Sequence, residues 1–479
     1  MRNVINDSPE NQGVITCPLC GTEDQIPGHT CRSCNRLIAG MPTWADDETS
    51  SVIHKKRHIN RRRLTLFGFL ILVAAFIVWL NFPFLPDPFI TIFKTPTSSL
   101  TSESLPNQWS SARWDLQGTR YISDVPNQPQ GRLEWTRDLG QPTRSAPVVV
   151  EGVIFVGGHF KAMALDVEAG KIIWQIDTPG QMHQSFAVAG EFVYMGLSDH
   201  RLLALDRRTG EIRWQFRANF AITSSPVVAD GMVYFGSSDD FLYSLDAATG
   251  DQIWKHKLNG ILRASVTISS GRLFATDSGG NLTILSARTG QAHFRFRTGI
   301  PATDAPVVTG GLAYFPTGGK LFAVDAEERS KRGEFIFNRI WTQFFIWQIP
   351  GVPAPPSQRG ERWRFAPDKQ ASLGIVGSPA VTPETLYYGD AVGNLYARDV
   401  SSRQEIWRFQ AGDGILSSPV ILEDRIYFGS RDGYLYSLNR SDGTLLWRLS
   451  LDAPIEIAPV FAEGHFYVRT TDGRLHAIN

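Results

Sequence analysis

Residues 224–236 read SSPVVADGMVYFG, and residues 242–254 read LYSLDAATGDQIW. Apolar residues alternate with small or polar ones in short runs, which is typical of β-strands. Asp/Gly pairs separate the runs, as expected for tight turns. The stretch therefore predicts a unit of four short strands.

This unit is repeated through the C-terminal two thirds of the chain. The position of Pro226 recurs at intervals of 39 or 40 residues, with one longer interval of 73. The equivalent positions are Pro147, Phe186, Val266, Pro306, Pro379, Pro419 and Pro459. A period near 40 with four strands per unit is typical of a propeller blade. We predict an all-β fold, an eight-bladed β-propeller of four-stranded blades with one insertion.

The turn before the last strand of a unit reads Asp-x-x-Thr-Gly at Asp206–Gly210 and Asp246–Gly250, with degenerate forms in other units, and an aromatic residue follows this turn. These aromatic residues are Trp174, Trp214, Trp254, Phe294, Trp363, Trp407 and Trp447. A large ring at a fixed place in every blade is suited to covering the gap to the next blade. We interpret them as inter-blade packing residues rather than as ligand-stacking residues.

The two ends of the repeat region complement each other. The eighth unit stops at Asn479, where its fourth strand should begin, and a strand-like segment at 133–139 precedes the first unit and carries Trp135. Pairing the two would close the ring and leave no open sheet edge. We predict that this N-terminal strand closes the propeller.

The recurring Leu-Asp-x-x-Thr-Gly-x-x-x-Trp, followed by Ser-Ser-Pro-Val-Val, resembles the pyrroloquinoline-quinone (PQQ)-type propeller repeat. The resemblance covers about 350 residues. It implies one of two roles. Quinoprotein dehydrogenases bind PQQ with Ca²⁺, whereas non-catalytic members include the propeller lipoprotein of the outer-membrane β-barrel assembly machine.

The sequence favours the non-catalytic branch. The repeat region has no Cys, and many soluble dehydrogenases of the family stack PQQ on a disulfide. Most blades have near-minimal length, and no Ca²⁺-type carboxylate cluster stands out from the turn residues. We predict no catalytic residues and no bound PQQ.

All four Cys lie near the N-terminus, in two Cys-x-x-Cys pairs: Cys17 with Cys20, and Cys31 with Cys34. Two such pairs can place four thiolates around one Zn²⁺. Gly21 and Asn35 follow the pairs and tolerate left-handed backbone. We predict a small zinc ribbon within 1–50; disulfides or free thiols are the alternative.

Residues 64–80 read LTLFGFLILVAAFIVWL and follow a basic segment at 51–63. Such a run is typical of a transmembrane helix, here predicted over 64–82, with the basic side in the cytoplasm. The sequence thus predicts a single-pass protein of the cytoplasmic membrane with an extracytoplasmic propeller.

The remaining boundaries follow from composition. Residues 83–130 are rich in Pro and Ser and predict a linker, although the aromatic end at 109–118 is expected to pack on the propeller of 131–479.

The chain has 47 basic and 47 acidic residues, so its net charge near zero gives no general attraction to nucleic acid.

Three positions before the Pro position, four of the eight units have a residue that can carry charge: Arg144, His183, Arg263 and Glu456. In propellers of this type these loops face the channel, so the four residues are candidates for a polar binding funnel. A hydrated channel lining without a ligand is the alternative.

The insertion, at about 328–360, contains an aromatic helix-period segment that ends before Pro350. Its candidate docking residues are Phe337, Trp341, Phe344, Phe345 and Trp347. We expect this helix to share a face of the propeller with the N-terminal segment. It would dock on a membrane or a partner there, or pack as a lid on the propeller.

Together these features predict a non-catalytic scaffold that binds protein partners. Assembly of envelope proteins is one process in which such a scaffold would act. A PQQ-dependent oxidoreductase and a ligand-sensing receptor with a cytoplasmic zinc ribbon are the alternatives.

Overall fold

The computed structural model describes residues 16–17, 19–23, 30–35, 68–73, 88–102, 104–105, 107–123, 125, 127–140, 145–182, 184–302, 304–330, 334–354, 358–366 and 374–479. The chain divides into two compact units, 1–80 and 81–479. The first unit contains the Cys-x-x-Cys turns and a helical stretch at 68–73. The second contains the repeats.

The second unit is an eight-bladed β-propeller, as predicted. Before the first blade come helix α1 (Pro88–Phe93) and strands β1 (Tyr121–Ile122) and β2 (Leu133–Asp138). Blade 1 consists of β3 (Val148–Val150), β4 (Val153–Gly158), β5 (Lys161–Asp166) and β6 (Ile172–Asp177). Blade 2 consists of β7 (Ala187–Ala189), β8 (Phe192–Gly196), β9 (Arg201–Asp206) and β10 (Ile212–Arg217). Blade 3 consists of β11 (Val227–Ala229), β12 (Met232–Gly236), β13 (Phe241–Asp246) and β14 (Gln252–Lys257). Blade 4 consists of β15 (Thr267–Ser269), β16 (Arg272–Thr276), β17 (Asn281–Ser286) and β18 (Ala292–Arg297).

The insertion falls in the second half of the ring. Blade 5 consists of β19 (Val307–Thr309), β20 (Leu312–Thr317), β21 (Lys320–Asp325) and β22 (Glu361–Phe365), with helix α2 (Glu334–Ile346) between its last two strands. Blade 6 consists of β23 (Ala380–Val381), β24 (Thr385–Gly389), β25 (Asn394–Asp399) and β26 (Glu405–Gln410). Blade 7 consists of β27 (Val420–Leu422), β28 (Arg425–Gly429), β29 (Tyr434–Asn439) and β30 (Leu445–Ser450). Blade 8 consists of β31 (Val460–Ala462), β32 (His465–Arg469) and β33 (Arg474–Ile478), with β2 as its outer strand.

The predicted closure of the ring is confirmed. Strand β2 pairs antiparallel with β33, and the register sets Leu133 opposite Ile478 and Trp135 opposite Ala477. A register shift between Leu133 and Trp135 reproduces the bulge found in the outer strand pairs of the other blades. The N-terminal strand therefore completes blade 8.

The repeated Trp residues pack between blades, as the sequence indicates. Trp174 Nε1 donates to the carbonyl of Arg207 at 3.0 Å, and Trp214 Nε1 donates to Ala247 O at 3.1 Å. Seven of the eight repeated rings also lie against the turn glycine of the next blade, where an added Cβ would come within 3 Å of the ring, as at Gly250 beside Trp214. At these seven positions only a residue without Cβ fits at positive φ, whereas blade 6 has Arg403 at the equivalent position.

The structure corrects the predicted localisation. Within the part of the chain that it describes, no helix is long and apolar enough to cross a membrane. Of the stretch predicted to span, residues 68–73 are helical and the others lie outside the described residues. The prediction of a single-pass membrane protein is therefore wrong on this finding.

The segment predicted as a linker is in part a structural element of the propeller. Residues 100–102, 104–105 and 107–122, which we call the plug segment, run along the innermost strands of the blades. The Ser- and Pro-rich composition indicated a linker because it lacks strand periodicity, but its backbone groups bond to strand edges. The expected packing of its aromatic end is confirmed: Trp109 is fully buried.

Candidate functional site

The four cysteines form one cluster. Their Sγ atoms all lie within 4.8 Å of one another. The Sγ atoms of Cys17 and Cys34 are 3.8 Å apart, and those of Cys20 and Cys31 are 3.6 Å apart. A disulfide would need about 2.05 Å, whereas tetrahedral Zn–S bonds of about 2.3 Å set the sulfurs about 3.8 Å apart. The cluster could therefore bind a metal ion.

Local backbone geometry builds this cluster. Gly21 and Asn35 have φ of 71° and 58°, in the left-handed region that the sequence analysis assigned to them. Their N–H groups donate to the carbonyls of Cys17 and Cys31 at 2.9 and 3.0 Å. Hydrogen bonds with the side chain and backbone of Thr22 lower the pKa of Cys20 to about 6, which favours the thiolate that binds metals.

The central channel of the propeller is filled by the plug segment. It is hydrogen-bonded through its backbone to the innermost strand, or to the turn after it, of all eight blades at 2.7–3.2 Å. From blade 1 to blade 8, the pairs are Val149 with Trp109, Val188 with Ser110, Val228 with Ser102, Ile268 with Leu116, Val308 with Gln117, Val381 with Thr119, Ile421 with Arg120, and Glu463 with Asn107. The strand edges along the channel are thus paired by the chain itself.

Two buried arginines of the plug segment bring charge into the channel. Arg113 donates from Nη1 to Thr267 Oγ1 at 2.9 Å and to the carbonyl of Pro306, and so joins blades 4 and 5. Burial, and then the nearby Arg120, lowers the pKa of Arg113 to about 9. Burial raises the pKa of Asp304, but Arg120 and Arg113 outweigh it and hold that pKa below its usual value. Asp304 thus stays ionised and compensates the two arginines.

The sequence analysis missed this Arg–Asp cluster. Asp304 stands two positions before Pro306, where the equivalent residues include Ser145, Ser224 and Ser417. An acid at a position that carries no charged residue in the other seven blades was the available signal. No pattern marked Arg113 as its partner, because the plug segment lies outside the repeats.

The predicted funnel residues are not brought together by the described structure. Arg263 is exposed on blade 4. Glu456 on blade 8 pairs with Arg431 of blade 7, with 3.3 Å between Oε1 and Nε. Arg144 and His183 lie outside the described residues. A funnel site at these four positions stays a prediction.

The insertion forms a helix, as predicted, and α2 ends before Pro350. Phe337 and Trp347 are 56% and 63% exposed, and Phe344 and Phe345 are also exposed. Trp341 is half-buried, packs on Phe337 with 5.2 Å between ring centroids, and donates from Nε1 to Pro353 O at 3.0 Å. The described ring contacts of the helix thus stay within the insertion.

Helix α1 is attached close to the same region of the propeller. The Nζ of Lys94, just after α1, donates to Gln252 O at 2.7 Å, and Arg288 Nη1 donates to Lys94 O at 2.8 Å. Gln252 is the first residue of the fourth strand of blade 3, directly after the connection from the third strand, and Arg288 lies in the equivalent connection of blade 4. The insertion occupies that same connection in blade 5, so α1 and α2 leave from one face, as expected.

Fold and repeats together define the class of this protein: an eight-bladed propeller of PQQ-like repeats, closed by its N-terminal strand. The family model described as "Outer membrane protein assembly factor BamB" matches residues 122–224, 198–335, 355–448 and 393–479. The chain belongs to this family.

Solved structures show the same fold. The BamB of Moraxella catarrhalis superposes with a TM-score of 0.57 and 15% identity, covering 72% of this chain and 96% of that one. A quinohemoprotein alcohol dehydrogenase of Comamonas testosteroni gives a TM-score of 0.61 at 15% identity, with 82% of each chain covered. At these identities the similarity is one of fold.

One relative is similar to a short part of the chain. The quinohemoprotein alcohol dehydrogenase ADH-IIG of Pseudomonas putida is 26% identical over 121 residues, which is 22% of this chain and 17% of that protein. The chain thus matches less than a fifth of that relative's length. Both branches of the propeller class are represented among the similar proteins.

Proposed function

We propose that the propeller is a non-catalytic scaffold that binds a protein partner through the face carrying α1 and α2. The observation that carries this proposal is the exposure of Phe337, Phe344 and Phe345 on a helix inserted into a single blade, and of Trp347 directly after it. Exposed apolar patches on otherwise polar surfaces mark interaction sites. Aromatic residues are the side chains that most often anchor protein interfaces.

The filled channel supports a non-catalytic role. A ligand on the propeller axis would have to displace plug backbone that is hydrogen-bonded to every blade. The family description as an assembly factor supports a protein partner. We therefore place the protein in protein assembly, with α2 as its docking element.

Site-specific photo-cross-linking in cells tests this function. A photoreactive phenylalanine analogue replaces Phe345 in the full chain, and Val392 serves as control because it is equally exposed but lies in a turn between second and third strands, at the opposite face. We expect one discrete protein adduct from position 345 that is lost when Trp347→Ser is added. Equal adducts from both positions, or none from 345, would contradict the proposal.

A quinoprotein oxidoreductase is the second candidate, favoured by the match to ADH-IIG. It predicts that purified protein incubated with PQQ and Ca²⁺ oxidises alcohols or sugars with an artificial electron acceptor. Activity that saturates with PQQ at one equivalent would establish this function and exclude the purely non-catalytic one.

We further propose that Cys17, Cys20, Cys31 and Cys34 hold one Zn²⁺, whose role in this closed four-thiolate site is structural. Such a ribbon offers a second contact point for partners, separate from the propeller.

A further inference from the structure

The stem of the insertion is fixed to blade 4, although the insertion belongs to blade 5. On the side that enters α2, Ser330 N donates to the carbonyl of His293 at 3.0 Å. On the returning side, Arg297 N donates to Gln358 Oε1 at 2.8 Å, and Gln358 Nε2 donates to Arg297 O at 2.6 Å. His293 and Arg297 both lie on β18, the outer strand of blade 4. Helix α2 therefore extends from a stem that is held at both of its ends.

The C-terminal end of α2 is completed by its own chain. Gln348 has φ of 54°, and its N–H donates to Phe345 O at 3.0 Å, while Ile349 N donates to Phe344 O at 3.2 Å. This pair of bonds around a left-handed residue is a Schellman motif, which satisfies carbonyls that a helix end leaves free. Together with the bond from Trp341 to the returning segment, the motif makes α2 an ordered helix without a partner.

Four exposed apolar side chains form a stripe along α2. They follow one another at spacings of three, four and three residues, which places them on one side of a helix. They are Phe337, Ile340, Phe344 and Trp347, which are 56%, 48%, 41% and 63% exposed. Trp347 comes directly after the helix, but its N–H donates to Gln343 O at 3.0 Å and so continues the helical bonding pattern. At about 1.5 Å per residue the stripe is about 15 Å long.

The apolar surface of α2 is wider than this stripe. Phe345, which is 43% exposed, stands about 100° around the helix from Phe344. Ile346, which is 63% exposed, stands about 100° further. A flat surface that contacts the stripe would leave these two side chains in water. The shape that fits α2 is therefore a groove, with walls as well as a floor.

The insertion is basic around this apolar surface. Residues 331–357 contain three basic residues, Lys331, Arg332 and Arg339, and one acidic residue, Glu334. Opposite charges across an interface speed association and disfavour wrong partners. A groove with acidic residues along its rim is therefore complementary to the insertion.

We propose that α2 is a preformed helical ligand that places its stripe in an apolar groove with an acidic rim on a partner protein. This inference rests on the proposed docking function of α2 and adds the kind of partner surface that fits it. Amphipathic helices bind grooves through apolar residues at such spacings. Because the helix and its stem are ordered by their own bonds, binding loses less conformational entropy than binding by a flexible loop would.

Two changes at Thr342 test the helical form, with photo-cross-linking from position 345 of the full chain in cells. Thr342→Pro breaks the helix and keeps all stripe residues, whereas Thr342→Ala keeps the helix. We expect Thr342→Ala to retain the protein adduct and Thr342→Pro to lower its yield about tenfold. Thermal unfolding of the purified variants should match that of the unaltered chain, because the described ring contacts of α2 stay within the insertion. An undiminished adduct in Thr342→Pro overturns the proposal.

A scan of the photoreactive phenylalanine analogue along α2 tests the groove. We expect adducts with one protein from positions 337, 340, 344, 345 and 347. Phe344→Ser should lower the yield from position 345 about tenfold, and its neighbour Gln343→Ser should leave that yield unchanged. An adduct from position 345 alone overturns the groove and leaves the proposed docking function intact. Adducts with lipid, or with a second copy of this chain, overturn the proposal, and absence of any adduct contradicts the docking function as well.

Charge reversal tests the acidic rim. Lys331→Glu with Arg332→Glu should lower the yield from position 345 about fivefold. Arg364→Glu with Arg408→Glu is the matched control, because it changes the net charge equally on the outer strands of blades 5 and 6, and it should leave the yield unchanged. Equal yields from the two double variants overturn the acidic rim.

Discussion

The indole of Trp135 lies on Gly170, and its Nε1 donates to the carbonyl of Val167 at 3.0 Å. Trp135 belongs to the strand that completes blade 8, whereas Gly170 and Val167 belong to the turn of blade 1. The contact therefore joins the two ends of the ring in the same way that Trp174 and Trp214 join consecutive blades inside it.

Substitution of Gly170 should destabilise the propeller. Gly170 has φ of 63°, and an added Cβ would lie 2.8 Å from Trp135 Cζ3. Gly170→Ala therefore combines the cost of left-handed backbone with a clash, and we expect a loss of about 2–4 kcal/mol. Gly271→Ala is the control, because Gly271 has a similar φ of 70° and nothing within 4 Å of the added Cβ. Urea unfolding should show the smaller loss for the control; equal losses would exclude close packing at the closure.

Removal of the Asp304 charge should be costly because it leaves Arg113 and Arg120 in the channel with Asp115 as the remaining acid that acts on both. We expect Asp304→Asn to lose about 3–5 kcal/mol of unfolding free energy. Glu456→Gln breaks the exposed pair with Arg431 and should cost at most about 1 kcal/mol. A loss in Asp304→Asn no larger than in Glu456→Gln would show that the arginines are compensated by other groups.

His256 should make stability depend on pH. Burial, and then Arg295, lowers the pKa of His256 to about 4, so the folded state keeps it neutral while the unfolded chain takes up a proton below about pH 6.5. Its contribution is complete above pH 6.5 and is lost as the pH falls to 4. Between pH 7 and 5 the unaltered chain should lose on the order of 1–2 kcal/mol more than His256→Leu does in urea unfolding. Parallel losses would mean that His256 titrates normally.

The zinc content of the protein should depend on the four clustered cysteines. We expect about one zinc ion per chain by elemental analysis, and loss of zinc in Cys20→Ser and in Cys31→Ser. Ser33→Ala, between two cysteines of the cluster, should retain it. A full zinc complement in the Cys20→Ser, Cys31→Ser double variant would place the metal elsewhere.

Exposed aromatic residues at the end of α2 and directly after it should contribute little to stability. Phe345→Ser with Trp347→Ser should change the unfolding free energy by less than about 0.5 kcal/mol, as for surface positions generally. A loss of several kcal/mol would indicate that α2 packs on the propeller as a lid, which was the alternative interpretation of the insertion.

The repeat pattern by itself determined the number of blades, the place of the insertion and the closing strand. Each of these depends on residues within one unit of about 40, such as the alternation at 224–236 and the Trp after each turn. Short-range periodicity is visible in a single sequence because neighbouring residues form each strand and turn. The Cys-x-x-Cys pairs are local in the same sense, and the structure places their four sulfurs together.

Only the tertiary structure decided which segment lies in the channel. Arg113 bonds to Pro306, which is 193 positions away in the chain, and Asn107 bonds to the turn of the last blade. Most contacts of the plug segment are made by its backbone carbonyls. Every residue type has a backbone carbonyl, so these contacts cannot be predicted from the pattern of side chains.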